Sequence, residues 1–217
     1  FYQRFFKSKK LKLNALVLLS LLFYSFWIPE YFPIIVTSIL VNFFLAKKIL
    51  ISEIDKSKHV WMLIGVIINL SILFFFKYLL FFTETFSFIT GVDFNVVKLA
   101  LPLGISFYTF QQISYLIDVR EGQIADSNLT HYSLFVCFFS QLIAGPIVHH
   151  SDMMPQFDSL DNKKIKWDFI AKGIFIFSLG LFKKVVIADS VSPMVGTGFN
   201  NPEMLTFVES WILSYLY

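Results

Sequence analysis

Five residues between positions 104 and 118 are small or polar inside an otherwise apolar run: Gly104, Tyr108, Gln111, Tyr115 and Asp118. They step by four, three, four and three, which on an α-helix places them on one face. Phenol, amide and carboxylate groups at membrane depth are costly unless paired or wet. Such a stripe should therefore face the protein interior or an aqueous cavity. The same pattern suits plain helix–helix contact, with Gln111 bonding a neighbour and Gly104 letting two backbones approach. A second group is Gln141, Gly145 and Pro146. Gln141 lies one turn before Gly145, and Pro146 ends the regular helix, which frees carbonyls near Gln141. Irregular backbone at depth is tolerated where it lines a cavity or is buried in protein, and a bland kink is the alternative.

Other chemistry is thinly represented. His149 and His150 are adjacent and diverge on a helix, while His59 and His131 fall in charged loops, so no metal site is expected. Cys137 is the one cysteine, which excludes a disulfide within the chain. No phosphate-cradling glycine loop, Gly-x-Ser-x-Gly elbow or His-Glu-x-x-His pair occurs.

The elements that must position these residues follow from composition. With 56% hydrophobic residues, 15% charged residues and a mean hydropathy of +0.68, there are too few polar groups to cover a water-facing surface. Apolar runs near the roughly 20 residues of a spanning helix recur along the chain, so the expected fold is all-α, a polytopic integral membrane protein with kinked and re-entrant helices. The net charge of +3 is small and its cations sit beside the apolar runs, which argues for membrane orientation and against nucleic acid. Arg4, Lys7, Lys9, Lys10 and Lys12 place the start of the first run, about 13–28, in the cytoplasm. A second run returns to Lys47 and Lys48, and a third, about 60–82, leads to an external loop with Glu84 and Asp93. The fourth, about 96–117, is interrupted by Pro102 and Gly104. If the fifth, about 132–148, turns back at Gly145-Pro146, then Lys163, Lys164 and Lys166 stay inside, and re-entry is the reading taken. A sixth run, about 169–182, ends at Lys183 and Lys184, and the last covers about 204–217. The chain opens without an initiator Met and closes in an apolar run, so a single partial membrane domain over 1–217, truncated at both ends, is expected.

Three segments then carry a resemblance: Leu101-Pro-Leu-Gly-Ile-Ser-Phe-Tyr-Thr-Phe-Gln111, Ser114-Tyr-Leu-Ile-Asp118 and Gln141-Leu-Ile-Ala-Gly-Pro-Ile147. Together they resemble the membrane-bound O-acyltransferase family, in its bacterial alginate O-acetyltransferase branch. Phe76-Lys-Tyr78, Asp152-Met-Met-Pro-Gln156 and 180–189 match the same branch in the same order. The resemblance implies transfer of an acyl group, usually acetyl, from a cytoplasmic donor (acetyl-CoA or an acyl carrier) to an extracytoplasmic polysaccharide such as alginate, through a polar tunnel. It further implies a bacterial inner-membrane, multi-pass location, contact with lipid, and an extracytoplasmic acetyl-handling partner protein. No bound cofactor is implied. The family's catalytic histidine lies in a Trp-His-Gly type motif that no histidine here matches, so it is expected beyond Tyr217. Tyr108, Gln111, Tyr115, Asp118, Gln141, Gly145 and Pro146 are the tunnel-lining candidates. A transporter or flippase for lipid or sugar is the rival class, since broken helices and intramembrane polar groups mark those proteins too.

Overall fold

Amides and a carboxylate occupy the interior of this protein, while large apolar side chains cover its outside. Asn42, Asn69, Gln111, Gln112 and Asp118 are buried, whereas Leu18, Phe26, Ile67 and Phe88 are more than half exposed. That arrangement suits lipid, where outward apolar surface is tolerated and polar groups must find partners within the protein. A computed structural model describes residues 9–27, 29–92, 100–125, 127–143, 145, 148–159 and 166–217. Among these the regular structure is helical, without strands, and the chain divides into two units, Phe1–Ser159 and Leu160–Tyr217.

In the first unit, α1 (Lys9–Trp27) leads through a 3-10 turn at Pro29–Tyr31 into α2 (Phe32–Ile51), whose early proline presets the helical φ. Helix α3 (Asp55–Lys77) carries Asp55 in its first turn and Lys77 in its last, the charge order that the helix dipole favours. Among the described residues, Pro29–Ile51 and Asp55–Lys77, 23 residues each, are long and apolar enough to cross a membrane. After Tyr78, α4 (Leu79–Thr90) continues the apolar surface. Glu84 therefore lies on a helix rather than in the loop expected there, because the Phe-rich sequence around it sustains helical hydrogen bonding; Asp93 falls outside the described residues.

Helix α5 (Ile105–Arg120) is the centre of the unit, with α2 and α3 against one side and α6 (Leu129–Cys137) against the other. Within the fourth apolar run, the described residues 100–104 are non-helical and the helix starts at Ile105. Gly104 stands at the N-cap with φ 67°, and Tyr108 N–H donates to its carbonyl at 2.9 Å, so the helix starts cleanly there. The fifth run is also divided, into α6 and the short α7 (Phe139–Leu142) with a break at Phe138. Ser20 of α1 accepts the Phe139 N–H at 3.3 Å, which supplies a partner that the broken ladder lacks. Helix α6 begins at Asn128, whose side chain accepts from Thr130 N–H at 2.9 Å, and Thr130 Oγ1 donates to Asn14 of α1 at 2.8 Å.

These contacts determine the course of the fifth run. It starts beside the C-terminal end of α5, where Ser127 meets the Tyr115 hydroxyl at 3.0 Å, and reaches the N-terminal end, where Leu142 meets Gly104. By His149 it is back at the C-terminal end, against Asp118, and α8 (His150–Asp158) follows. Both described ends of the run thus lie at the C-terminal end of α5.

In the second unit, α9 (Trp167–Phe182) passes without interruption through a π-helical segment, Lys183–Ala188, into α10 (Asp189–Asn200). The helix that carries the sixth run continues past Lys183 and Lys184. Lysine is a good helix former, and Lys184 pairs with Asp189 at 2.7 Å, a five-residue spacing that the wide π turn brings into line. Helix α11 (Phe207–Leu216) opens with a capping box between Thr206 and Glu209 and packs on α10.

Candidate functional site

Tyr108, Gln111, Tyr115 and Asp118 run down one face of α5, each at most 3% exposed. The face turns toward α1, α6 and α8. Tyr115 stacks obliquely on Tyr132 of α6, with ring centroids 4.4 Å apart, and meets the edge of His150 at 5.1 Å. Asp118 Oδ2 lies 3.0 Å from His149 Nδ1. Further up, Tyr108 neighbours Tyr24 of α1. The Tyr24 and Tyr108 hydroxyls face each other, while the Tyr132 hydroxyl and both amide atoms of Gln111 are buried with no hydrogen-bond partner.

Gln112, next in sequence, faces the other way and is tied down. Its Oε1 accepts from Ser38 Oγ at 3.0 Å and from Asn42 Nδ2, both on α2. Asn42 in turn pairs with Asn69 of α3, whose Nδ2 donates to Asn42 Oδ1 at 2.6 Å and to the Gly65 carbonyl at 2.8 Å. A chain of buried amides thus joins α2, α3 and α5. The sequence reading passed over Ser38, Asn42, Asn69 and Gln112. The available signal was two asparagines inside spanning runs, which at that depth require partners.

The two faces of α5 differ in kind. One is a network bonded across three helices, of the sort that fixes helix register, in which Gln112 Nε2 is left without a partner; the other holds polar groups left open on both atoms of Gln111. An unmade hydrogen bond at a buried group costs about 1–3 kcal/mol, so an amide with both atoms open is a standing cost unless something polar meets it.

Gln141 and Gly145 are placed at the N-terminal end of α5. Gly145 N–H donates to the Gln141 carbonyl at 3.0 Å, and a Cβ on Gly145 would sit 2.3 Å from Gln141 Cγ, so only glycine lets the chain fold back so closely. A Cβ on Gly104 would sit 2.7 Å from the Leu142 carbonyl oxygen, so the two quoted sequence segments touch. Pro146 lies outside the described residues. The fold therefore brings Tyr108, Gln111, Tyr115 and Asp118 together on a face, with Gln141 and Gly145 beyond its upper end.

Histidines gather at the lower end. His149 is raised above the usual imidazole range, first by its hydrogen bond to Asp118 and then by that group's charge. His150, packed against Tyr115 and Phe135, is lowered to about 4, chiefly by burial and then by the charge of His131. His131 itself sits 3.6 Å from Asp158. Among the described residues no cluster of histidine, cysteine and carboxylate side chains could hold a metal ion. A separate cavity of about 660 Å³ opens in the second unit between α10 and α11, walled by Met194, Met204, Ile212 and Leu213.

Comparison with known proteins places these residues in context. The family described as MBOAT, membrane-bound O-acyltransferase family, matches residues 97–217, which include α5 and both glycine segments. A peptidoglycan O-acetyltransferase of Helicobacter pylori is 44% identical over 227 residues, covering 93% of this chain and 43% of that protein. Probable alginate O-acetylases AlgI are 35% identical over 181 residues in Azotobacter vinelandii (81% of this chain, 36% of the relative) and 33% identical over 213 in Pseudomonas putida (94% and 43%). The chain thus spans 36–43% of the length of these relatives. No solved structure matches.

Proposed function

The chain belongs to the membrane-bound O-acyltransferase family, and from that premise we propose that it forms part of an enzyme moving an acyl group, acetyl first, onto the hydroxyl of an extracytoplasmic glycan. The relative at 44% identity is named for peptidoglycan and those at 33–35% for alginate, which supports a sugar hydroxyl as acceptor. The donor is an activated acyl compound, acetyl-CoA or an acyl carrier. In the transfer the new C–O ester bond forms as the donor's C–S bond breaks, and the hydroxyl proton ends on the leaving thiol. The group that shuttles that proton is a histidine outside this chain. The protein is multi-pass in a bacterial inner membrane, works with an extracytoplasmic acetyl-handling partner, and contains 1–217 as one partial domain. Membership of an acyltransferase family leaves the transporter or flippase alternative without support.

In this reading Tyr108, Gln111, Tyr115 and Asp118, with Gln141, Gly145 and Pro146, shape the tunnel wall. The observation that carries it is the contrast between neighbours. Gln112 is bonded to α2 through its Oε1, with its Nε2 open, whereas Gln111 is fully buried with both amide atoms open. In low dielectric such groups bind a carbonyl or hydroxyl strongly and cost nothing further to desolvate. The test is Gln111→Leu in the full-length protein. Membrane level and heat resistance should hold, since the change removes two unpaired buried atoms, while glycan acetylation should fall about tenfold or more, one lost transition-state hydrogen bond. Unchanged acetylation would remove this face from the mechanism.

A further inference from the structure

His149 occupies a vulnerable point in the chain. Just upstream, α7 ends at Leu142 and Gly145 folds back on Gln141; just downstream, α8 begins at His150. As the N-cap of α8, His149 makes no capping bond with its side chain. Its imidazole is instead directed to Asp118, 3.0 Å away. Asp118 is an odd tenant of its own helix. It sits in the last turn of α5, where the helix dipole disfavours negative charge, and its side chain is 4% exposed. A nearly buried carboxylate there needs a cation, and Arg120, in the same turn, is directed to Asp55 of α3 at 3.6 Å. The group that meets Asp118 is His149, itself 56% exposed at the side chain.

We propose that His149 is a positioning residue, whose bond to Asp118 fastens the returning arm of the re-entrant segment to the C-terminal end of α5. Through that bond it holds the Tyr115 end of the open face in its working geometry. The consequence for acyl transfer rests on the function proposed above; the fastening itself does not. The charged and titratable groups that act on His149 are Asp118 from α5 and Asp152 from its own helix, with His150 adjacent and His131 of α6 bearing on His150. Protonated, His149 gives Asp118 both a hydrogen bond and a counter-charge. Deprotonated, it loses the charge and keeps the bond only as the Nδ1–H tautomer. Because its titration is shifted upward, the fastening is complete below the ordinary imidazole value and weakens as pH rises through the shifted one.

The experiment uses the full-length protein in its own membranes, with two readouts between pH 6 and 9: glycan acetylation, and cleavage of the 143–159 stretch by added proteinase. His149→Gln should reduce acetylation about fivefold at pH 6.5, remove the alkaline decline and speed cleavage. His149→Lys, cationic to about pH 10, should restore both and carry activity past the alkaline limit of the unaltered protein. Asp118→Asn should match His149→Gln, and combining them should add no further loss. The proposal is overturned if His149→Gln leaves cleavage and the alkaline decline unchanged, or if the double variant sums the two losses. If unaltered membranes transfer no acyl group, the functional reading fails, and cleavage alone still decides whether His149 fastens the arm.

Discussion

Gly104 and Gly91 adopt the same left-handed backbone, φ 67° and ψ 10° against φ 68° and ψ 10°, yet their surroundings differ. Among the described residues an alanine Cβ at Gly91 would find nothing within 4 Å, whereas at Gly104 it would lie 2.7 Å from the Leu142 carbonyl oxygen. Gly91→Ala therefore measures the backbone cost alone, about 1–2 kcal/mol for an L-residue in this region. Gly104→Ala adds the overlap. The nearest atom is backbone, so relief requires moving α7 away from the start of α5, at a further cost of about 1–3 kcal/mol by analogy with overpacked cores. At about 2 °C per kcal/mol, the second variant should melt several degrees below the first. The assay is survival of the folded peak in gel filtration after heating full-length protein in detergent at a fixed rate. Should the two variants melt together, Leu142 does not sit on Gly104, and the contact between the two glycine segments is refuted.

Gln112→Leu should lower the melting temperature, by about 1–2 kcal/mol of lost interhelical bonding, because Ser38 and Asn42 lose their acceptor; an unshifted midpoint would contradict the amide network. His150 is held near 4 by burial and by His131, so the unfolded chain binds more protons below about pH 6.5. Stability should thus be complete above that value and fall as pH drops toward 4. His150→Phe, which keeps the ring contacts with Tyr115 and Phe135, should flatten the melting temperature between pH 6.5 and 4.5, and parallel curves would refute the assignment.

What the sequence disclosed was whatever depends on period and composition. Gly104, Tyr108, Gln111, Tyr115 and Asp118 could be placed on one face because helical spacing is local, and 56% hydrophobic content already pointed to lipid. Pairing was not legible. Gln111 and Gln112 are chemically identical neighbours, and which of them is tied down is decided by Ser38 and Asn42, 74 and 70 positions from Gln112. The Asp118–His149 bond spans 31 positions with no periodic trace. Nor could the break at Phe138 be seen, since its neighbours are ordinary helix formers and Ser20, 119 positions from Phe139, is what receives the freed N–H. Lys183 and Lys184 misled for the opposite reason: the end of an apolar run is a boundary of hydropathy, and the helix continues past it.

A re-entrant segment in lipid must satisfy its backbone and keep its turn at depth without a membrane-spanning ladder of its own. Here the solution is attachment to one helix at two heights. Gly104 and Asp118 are 14 residues apart on α5, about 21 Å along its axis, and they receive Leu142 and His149 respectively. Between them on α5 lie Tyr108, Gln111 and Tyr115. The open face is thus framed by its own attachments, and the amide network on the opposite side keeps α5 from rotating to relieve either. Loosening the upper attachment with Gly104→Ala should then make the lower one matter more. In full-length protein, adding His149→Gln to Gly104→Ala should accelerate proteolysis of 143–159 by more than the product of the single effects. A purely multiplicative result would mean that the two attachments act independently and that the segment is held elsewhere.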